Sequence, residues 1–261
     1  MIYIITALDA EARALIDHYH LTRDFTLPYT LYKNEQMVLL VSGIGKTNAL
    51  MAVSALLGWR IPNPTDCLIN IGICGAPDAY PIGETLLIHQ IFEGDRRYYP
   101  DILYPHSLRE SSIKCVDGAQ SVLDEYPVDM ESSAVFQTSA RFFKLHQMAF
   151  VKIVSDHFTP KTVSKERVIE LIRSNLHNVD EVCAVVEKVS LGDPLFDQTE
   201  QEEIGRLKSH FTKAQASSLD DALSYFRLKY PQKRLPSYPD IPDSKRERSQ
   251  LLEALIKTLT H

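Results

Sequence analysis

Two acids stand in settings that demand an explanation: Glu131 in Val128-Asp129-Met130-Glu131-Ser132-Ser133, and Asp156 in Val151-Lys152-Ile153-Val154-Ser155-Asp156-His157. Each adjoins an apolar stretch, where a carboxylate is costly to bury unless it is paired, hydrogen-bonded or protonated. Such groups suit glycosidic bond cleavage, in which a leaving group takes a proton and a developing sugar cation is stabilised. Two glycine turns could bring backbone close to a ligand. Gly72-Ile73-Cys74-Gly75-Ala76 follows an apolar run, at the kind of strand end where open α/β sheets place their sites. Ser42-Gly43-Ile44-Gly45-Lys46-Thr47 imitates a phosphate-cradling loop, but the required first glycine is Leu40, so a triphosphate motif is not indicated. What remains is a strand, a tight turn and a helix N-terminus able to present N–H groups.

The elements that must hold these residues read as α/β. Apolar runs at 2–6, 37–42, 67–71, 85–91 and 150–155 are continuous, as expected for strands covered on both faces. Helical stretches are expected at 11–18, 47–57 and 132–145, giving crossover connections in a largely parallel sheet. Beyond residue 191 three charged amphipathic helices are expected, at 198–213, 218–229 and 244–259, with starts at Ser218 and Ser244 marked by an acid three residues on. Prolines make residues 230–242 an extended linker, and Gly192-Asp193-Pro194 a turn.

A chain of 261 residues with 44% apolar and 24% charged residues is long enough for a full core. Its net charge of -6 argues against a nucleic-acid partner, which calls for a concentrated basic face. No apolar run approaches the roughly 20 residues of a membrane span, and the N-terminus lacks a basic leader segment, so a cytoplasmic protein with no membrane association is expected. The four cysteines share no CxxC spacing and the histidines no ligand spacing, so neither a metal nor a disulfide framework is expected.

In order along the chain, Ala7-Leu8-Asp9-Ala10-Glu11, Ser42-Gly43-Ile44-Gly45-Lys46, Asn70-Ile71-Gly72-Ile73-Cys74-Gly75-Ala76, Val128-Asp129-Met130-Glu131 and Ser155-Asp156 resemble the nucleoside phosphorylase and nucleosidase family. Within that family the residues most resemble the methylthioadenosine/S-adenosylhomocysteine nucleosidases and related purine hydrolases. The resemblance implies a three-layer α/β sandwich with a central twisted mixed sheet over residues 1–190, with residues 191–261 as a C-terminal helical extension. It also implies a small-molecule nucleoside substrate, no cofactor and a homo-oligomer, at least a dimer.

Roles carry over residue by residue. Asp156 would donate a proton or hydrogen bond to the purine N7, oriented by Ser155. Glu131 would grip the ribose hydroxyls, with Met130 against the sugar face, and Glu11 would hold and deprotonate the attacking water. Gly43, Cys74 and Gly75 would line the site, Ala119 and Ser121 would lie by the base edge, and Phe92 could stack on the base, as could Tyr98 or Tyr99. The implied activity is hydrolysis of the N-glycosidic bond of a purine nucleoside or thionucleoside.

The family's phosphorylases tend to carry Gly-Asp-x-x-Arg after the first strand, where this chain has Ala7-Leu8-Asp9-Ala10-Glu11-Ala12-Arg13. A carboxylate at Glu11 repels phosphate and suits water, while Arg13 keeps phosphorolysis as an alternative. The segment between residue 92 and Glu131 is shorter than in the nucleosidases compared. That opens the pocket to a larger substrate or to a partner subunit, and leaves a nucleoside-binding or scaffolding protein of weakened activity as a third reading.

Overall fold

The computed structural model describes all residues except 120, 122, 192–195, 231–232, 237–240, 243 and 261, and the side chains of all the rest except Lys161 and Leu228. The expected Gly192-Asp193-Pro194 turn and parts of the expected linker and base-edge segment therefore lie outside the described residues. The chain divides into two compact units, Met1–Leu191 and Gly192–His261.

In the first unit, β1 (Ile2–Thr6) leads into α1 (Asp9–His18), and short strands β2 (Thr22–Asp24) and β3 (Thr30–Lys33) precede β4 (Met37–Val41), α2 (Lys46–Trp59) and the long β5 (Cys67–Gly75). Then come β6 (Thr85–Glu93), β7 (Arg96–Tyr98), β8 (Arg109–Cys115), β9 (Val128–Asp129), α3 (Ser132–Ser139), β10 (Met148–Asp156), α4 (Lys165–Ser174) and α5 (Leu176–Leu191).

The continuous apolar runs are explained by burial on both faces. Along β1, Tyr3 and Ile5 pack with Ala52, Val53 and Leu56 of α2 and Val135 of α3, whereas Ile2 and Ile4 pack with Leu15 of α1, Ile172 of α4 and Val182 of α5. Successive strand residues point to opposite faces, so one strand feeds both cores and the unit is a three-layer α/β sandwich around a mixed sheet. Burying each such aliphatic side chain stabilises the fold by about 1.5–3 kcal/mol.

The sheet runs β10-β6-β8-β9-β5-β1-β4-β3-β2, with β7 on β6 and an added pairing of β10 with β5. Strands β5, β10, β6, β8 and β9 thus close on themselves at one end. Gly75 is the joint of that closure: it pairs with Asp156 of β10 and Val128 of β9. A Cβ on Gly75 would lie 3.5 Å from both Asp156 Oδ1 and Val128 Cγ2, so a side chain there would press on the acid and on the strand before Glu131.

Some elements differ from the sequence expectation. The helix expected over 132–145 stops at Ser139, and Phe143 turns back to pack edge-on against Tyr3 at 5.6 Å between ring centroids. In the second unit, α6 (Gln198–Lys208), α7 (Lys213–Lys229) and α8 (Lys245–Thr260) share a core of their own that includes Leu207, Leu223, Phe226 and Leu255. Helix α7 begins five residues before the expected Ser218. Thr212 caps it by accepting from Gln215 N while Gln215 reaches back to Thr212 N, a reciprocal pair that satisfies two helix-end donors. Asp197 and Glu200 do the same for α6.

Candidate active site

A cavity of about 710 Å³ opens where the ends of β1, β5, β9 and β10 meet the first turns of α1 and α4. Glu11, Glu131 and Asp156 all line it, together with Met130, Ser155, Cys74, Gly75 and Ala119.

Glu11 sits in the first turn of α1 and is 2% exposed. Its Oε2 accepts from Ala7 N and Leu8 N, each at 2.9 Å, and its Oε1 accepts from Ile73 N at 2.9 Å. Leu8, the helix N-cap, has no side-chain acceptor, so Glu11 satisfies the helix start by reaching back to it. This is possible because residue 72 is glycine: a Cβ there would stand 2.9 Å from Glu11 Oε1. Burial raises the Glu11 carboxyl above its ordinary range, against the Ile73 N–H and the Lys152 ammonium, which pull it down.

Glu131 leads into α3 and makes no cap to its own helix. Instead its Oε1 accepts from Gly45 N at 2.6 Å. The N-terminus of α2, which resembles a phosphate loop in sequence, is thus given a carboxylate from its own chain. Lys46 beside it is turned to Glu93 at 3.0 Å and Asp117 at 2.6 Å. Burial, then the neighbouring Asp129, push Glu131 up to about 7, with Lys152 and Gly45 N–H opposing.

Asp156 ends β10 at 6% exposure. The pairing of β10 with β5 is irregular between Val154 and Asp156, where the strand hands its last residue to Gly75. Ser155 Oγ lies 2.7 Å from Asp156 Oδ2 and 3.1 Å from the Cys74 carbonyl, and Thr159 N donates to Asp156 Oδ1 at 2.6 Å. The acid is held from both sides with an edge of the carboxyl on the cavity.

Two further charges organise the site, and sequence reasoning passed over both. Lys152, 2% exposed in the middle of β10, lies 2.9 Å from Asp129 Oδ2, which also accepts from Ser132 N at 3.0 Å and from the Ser132 hydroxyl. Burial works against the Lys152 charge, but Asp129, Glu131 and Glu11 around it outweigh that and raise its pKa. The signal was present in Val151-Lys152-Ile153-Val154, since a lysine inside a fully apolar strand must find a carboxylate. Lys152 and Asp129 offset each other, so Glu11 and Glu131, when ionised, make the floor of the cavity electronegative, an environment that favours a ligand developing positive charge.

Other expected site residues fall elsewhere. Phe92 does not line the cavity: its ring packs against Tyr126 at 4.9 Å, with Arg97 over it at 4.5 Å, because the aromatic finds a cation and a partner ring outside. Tyr98 packs on Phe136 and Tyr99 is half exposed. Ser121 is exposed and off the cavity wall, while Val116 and Ala119 supply the wall near it. Gly43, at φ +85°, lines a shallower depression beside the main cavity, which shares Leu8 and Ile44 with it. His157 turns from the cavity to the Ala76 carbonyl at 3.0 Å. Burial pushes the Cys74 thiol up, which makes it an apolar wall group and not a nucleophile. Among the described residues no group of three or more His, Cys, Asp or Glu is arranged to hold a metal ion, and no helix is long and apolar enough to cross a membrane.

Comparison with known proteins meets this geometry at two levels. The sequence model of the phosphorylase superfamily matches residues 1–125. Among curated proteins no relative matches in sequence at a significant level. In structure, the 5′-methylthioadenosine/S-adenosylhomocysteine nucleosidase of S. pneumoniae, solved with a transition-state inhibitor, superposes with a TM-score of 0.58 at 19% identity, covering 71% of this chain and 98% of that one. The corresponding nucleosidase of Neisseria meningitidis gives 0.56 at 18% identity over 72% of this chain and 98% of its own. Futalosine hydrolase of Helicobacter pylori gives 0.55 at 14% identity over 70% and 97%. At these identities the likeness is one of fold.

Proposed function

From a chain that carries the phosphorylase-superfamily sequence over residues 1–125 and the nucleoside phosphorylase and nucleosidase fold in its first unit, we propose a nucleosidase that hydrolyses the N-glycosidic bond of a purine nucleoside or thionucleoside. The observation that carries this reading is the seating of Glu11. Its carboxylate occupies the N–H groups of Ala7, Leu8 and Ile73, the three backbone donors that would otherwise offer an anion a cradle at this strand end. An inorganic phosphate meets a filled cradle and a like charge there, whereas a water meets an acceptor. Phosphorolysis is disfavoured on both counts.

In the reaction the C1′–N9 bond breaks with its electron pair going to the base, and N7 of the leaving purine takes a proton or hydrogen bond from Asp156. The sugar becomes oxocarbenium-like. Glu131 holds the ribose hydroxyls and, with the electronegative floor, stabilises that charge, while Met130 packs against the sugar. Water attacks C1′ as Glu11 takes its proton. A carboxyl raised by burial is the stronger base for that step. The products are the free base and the sugar with a hydroxyl at C1.

The test is release of free base from a panel of purine nucleosides with and without inorganic phosphate. Release at the same rate without phosphate is expected, and Asp156→Asn should lower kcat by about 100-fold or more with a smaller change in KM. Release that strictly requires phosphate would make the chain a phosphorylase, and binding without release would make it a nucleoside-binding protein. A working homo-oligomer, at least a dimer, is part of the proposal, carried over from the family resemblance; Leu50, Met51 and Trp59 of α2 are large apolar side chains left nearly half exposed.

A further inference from the structure

Away from the nucleoside cavity, β6 and β8 carry a second cluster of proton-moving groups, none of which lines that cavity. Glu110 and Ser112 stand two residues apart on β8 and so share one face of the sheet. Opposite them the pairing of β6 with β8 slips between Ile88 and Gln90, and the extra residue is His89. A bulge of this kind re-aims a side chain. Here it brings the imidazole between the serine and the acid: Ser112 Oγ is 3.3 Å from His89 Nε2, and His89 Nδ1 is 3.8 Å from Glu110 Oε2. Hydroxyl, imidazole and carboxylate in that order make an activated serine, and such contacts are commonly loose before a substrate is bound.

The neighbours support that order. Among the described residues His89 Nδ1 is buried without a hydrogen-bond partner. The carboxylate facing it favours the tautomer with the proton on Nδ1, which leaves Nε2 as an acceptor towards Ser112. His106, a buried side chain, holds the other Glu110 oxygen, its Nε2 3.3 Å from Oε1. Ser112 Oγ also donates to Gln90 Oε1 at 3.0 Å, and rotation about the Cβ–Oγ bond turns the same proton to His89. Gln90 Nε2 donates to Tyr99 OH at 2.9 Å, so the tyrosine keeps its own proton for a ligand oxygen. The side chains of His89 and Glu110 are about half exposed, as is Tyr99, so a small molecule can reach the cluster.

We propose that this shelf is a second hydrolytic site, at which Ser112 takes the acyl group of a small carboxylic ester. Oγ bonds to the carbonyl carbon as its proton passes to His89 Nε2. The ester C–O bond then breaks with its electron pair on the departing oxygen, which collects the proton from Nε2. Water repeats the sequence on the acyl-serine: its oxygen bonds to the acyl carbon, its proton goes to Nε2, and Ser112 Oγ departs with that proton. Ester and water become carboxylic acid and alcohol, and no further reactant is needed. Glu110 stabilises the imidazolium formed in each half.

The test incubates the full-length protein with para-nitrophenyl acetate, follows release of para-nitrophenolate, and maps the acetylated residue by peptide mass spectrometry after an acid quench. Acetyl on Ser112 is expected, with a burst of nitrophenolate before the steady rate. Ser112→Ala and His89→Gln should each lower the release about tenfold or more, and Glu110→Gln about threefold or more, in variants whose urea melts show them folded. Base release from purine nucleosides should stay at the parent rate in all three. The mapping is made on the parent protein and needs no variant: acetyl on other residues with none on Ser112 overturns the site. Undiminished nitrophenolate release from folded Ser112→Ala overturns it as well, and either result leaves the nucleosidase reading untouched.

Discussion

Glu131 is the residue at which electrostatics and function pull apart. Burial and Asp129 raise its carboxyl to about 7 in the folded chain, against an ordinary value near 4.5. A carboxyl whose folded pKa is raised favours the folded state below its unfolded value, and that contribution is lost as pH rises through 7. Gripping a developing cation requires the ionised form, so kcat/KM should fall as pH drops through about 7. Glu131→Gln should raise stability at pH 8 on the order of 1–3 kcal/mol, lose that gain near pH 4, and abolish most turnover. Denaturant melts at the two pH values, run beside a pH-rate profile of the parent protein, check both parts. A flat profile between pH 6 and 8, with no stability gain in the variant at pH 8, would refute this account. The acids at 131 and 156 were legible in the sequence as carboxyls set against apolar runs, whereas Glu11 was singled out only through the family resemblance. Lys152 and Asp129 were equally visible as letters, but a salt bridge joining β10 to the end of β9 depends on a sheet closure that no local pattern reveals.

Among the elements, β5 sets the geometry of the cleft. Gly72 lets Glu11 lie against the strand, and Gly75 lets β9 and β10 meet beside Asp156. Gly72→Ala would place a methyl 2.9 Å from Glu11 Oε1, and since that oxygen is tied to Ile73 N the carboxylate must move away from its donor. The expected result is a loss of about 1–3 kcal/mol of stability, and a fall in kcat of about tenfold or more, since displacing a positioned catalytic group is costly. Base release and a urea melt on the purified variant measure both, and parent-like kcat would show that Glu11 is not positioned as described. Strands β1, β4 and β5 announce themselves because both faces are apolar. Strand β8, Arg-Glu-Ser-Ser-Ile-Lys-Cys, does not, because only Ser111, Ile113 and Cys115 are buried, and β2 and β3 are too short to show a period. Helices α4 and α5 were missed for lack of a strand on which to hang a crossover, though α4 has a Ser164 cap accepting from Arg167 N.

At the scale of the molecule, every residue lining the main cavity lies between Ala7 and Ile169, within the first unit. Among the described residues the second unit holds three helices, α6, α7 and α8, around a core of their own. The three-layer architecture was legible in the alternation of apolar strands with helices, whereas the partial closure of the sheet was not, since it rests on β9, a two-residue strand. The central claim is that these layers bring a base-holding acid, a sugar-holding acid and a water-holding acid to one nucleoside. It is met most directly by running the reaction in ¹⁸O-labelled water and examining the sugar product by mass spectrometry. The account predicts one labelled oxygen at C1 alongside unlabelled free base, and strong suppression of both by Glu11→Gln. A sugar 1-phosphate as the product, or label entering C1 undiminished in the Glu11 variant, would contradict it.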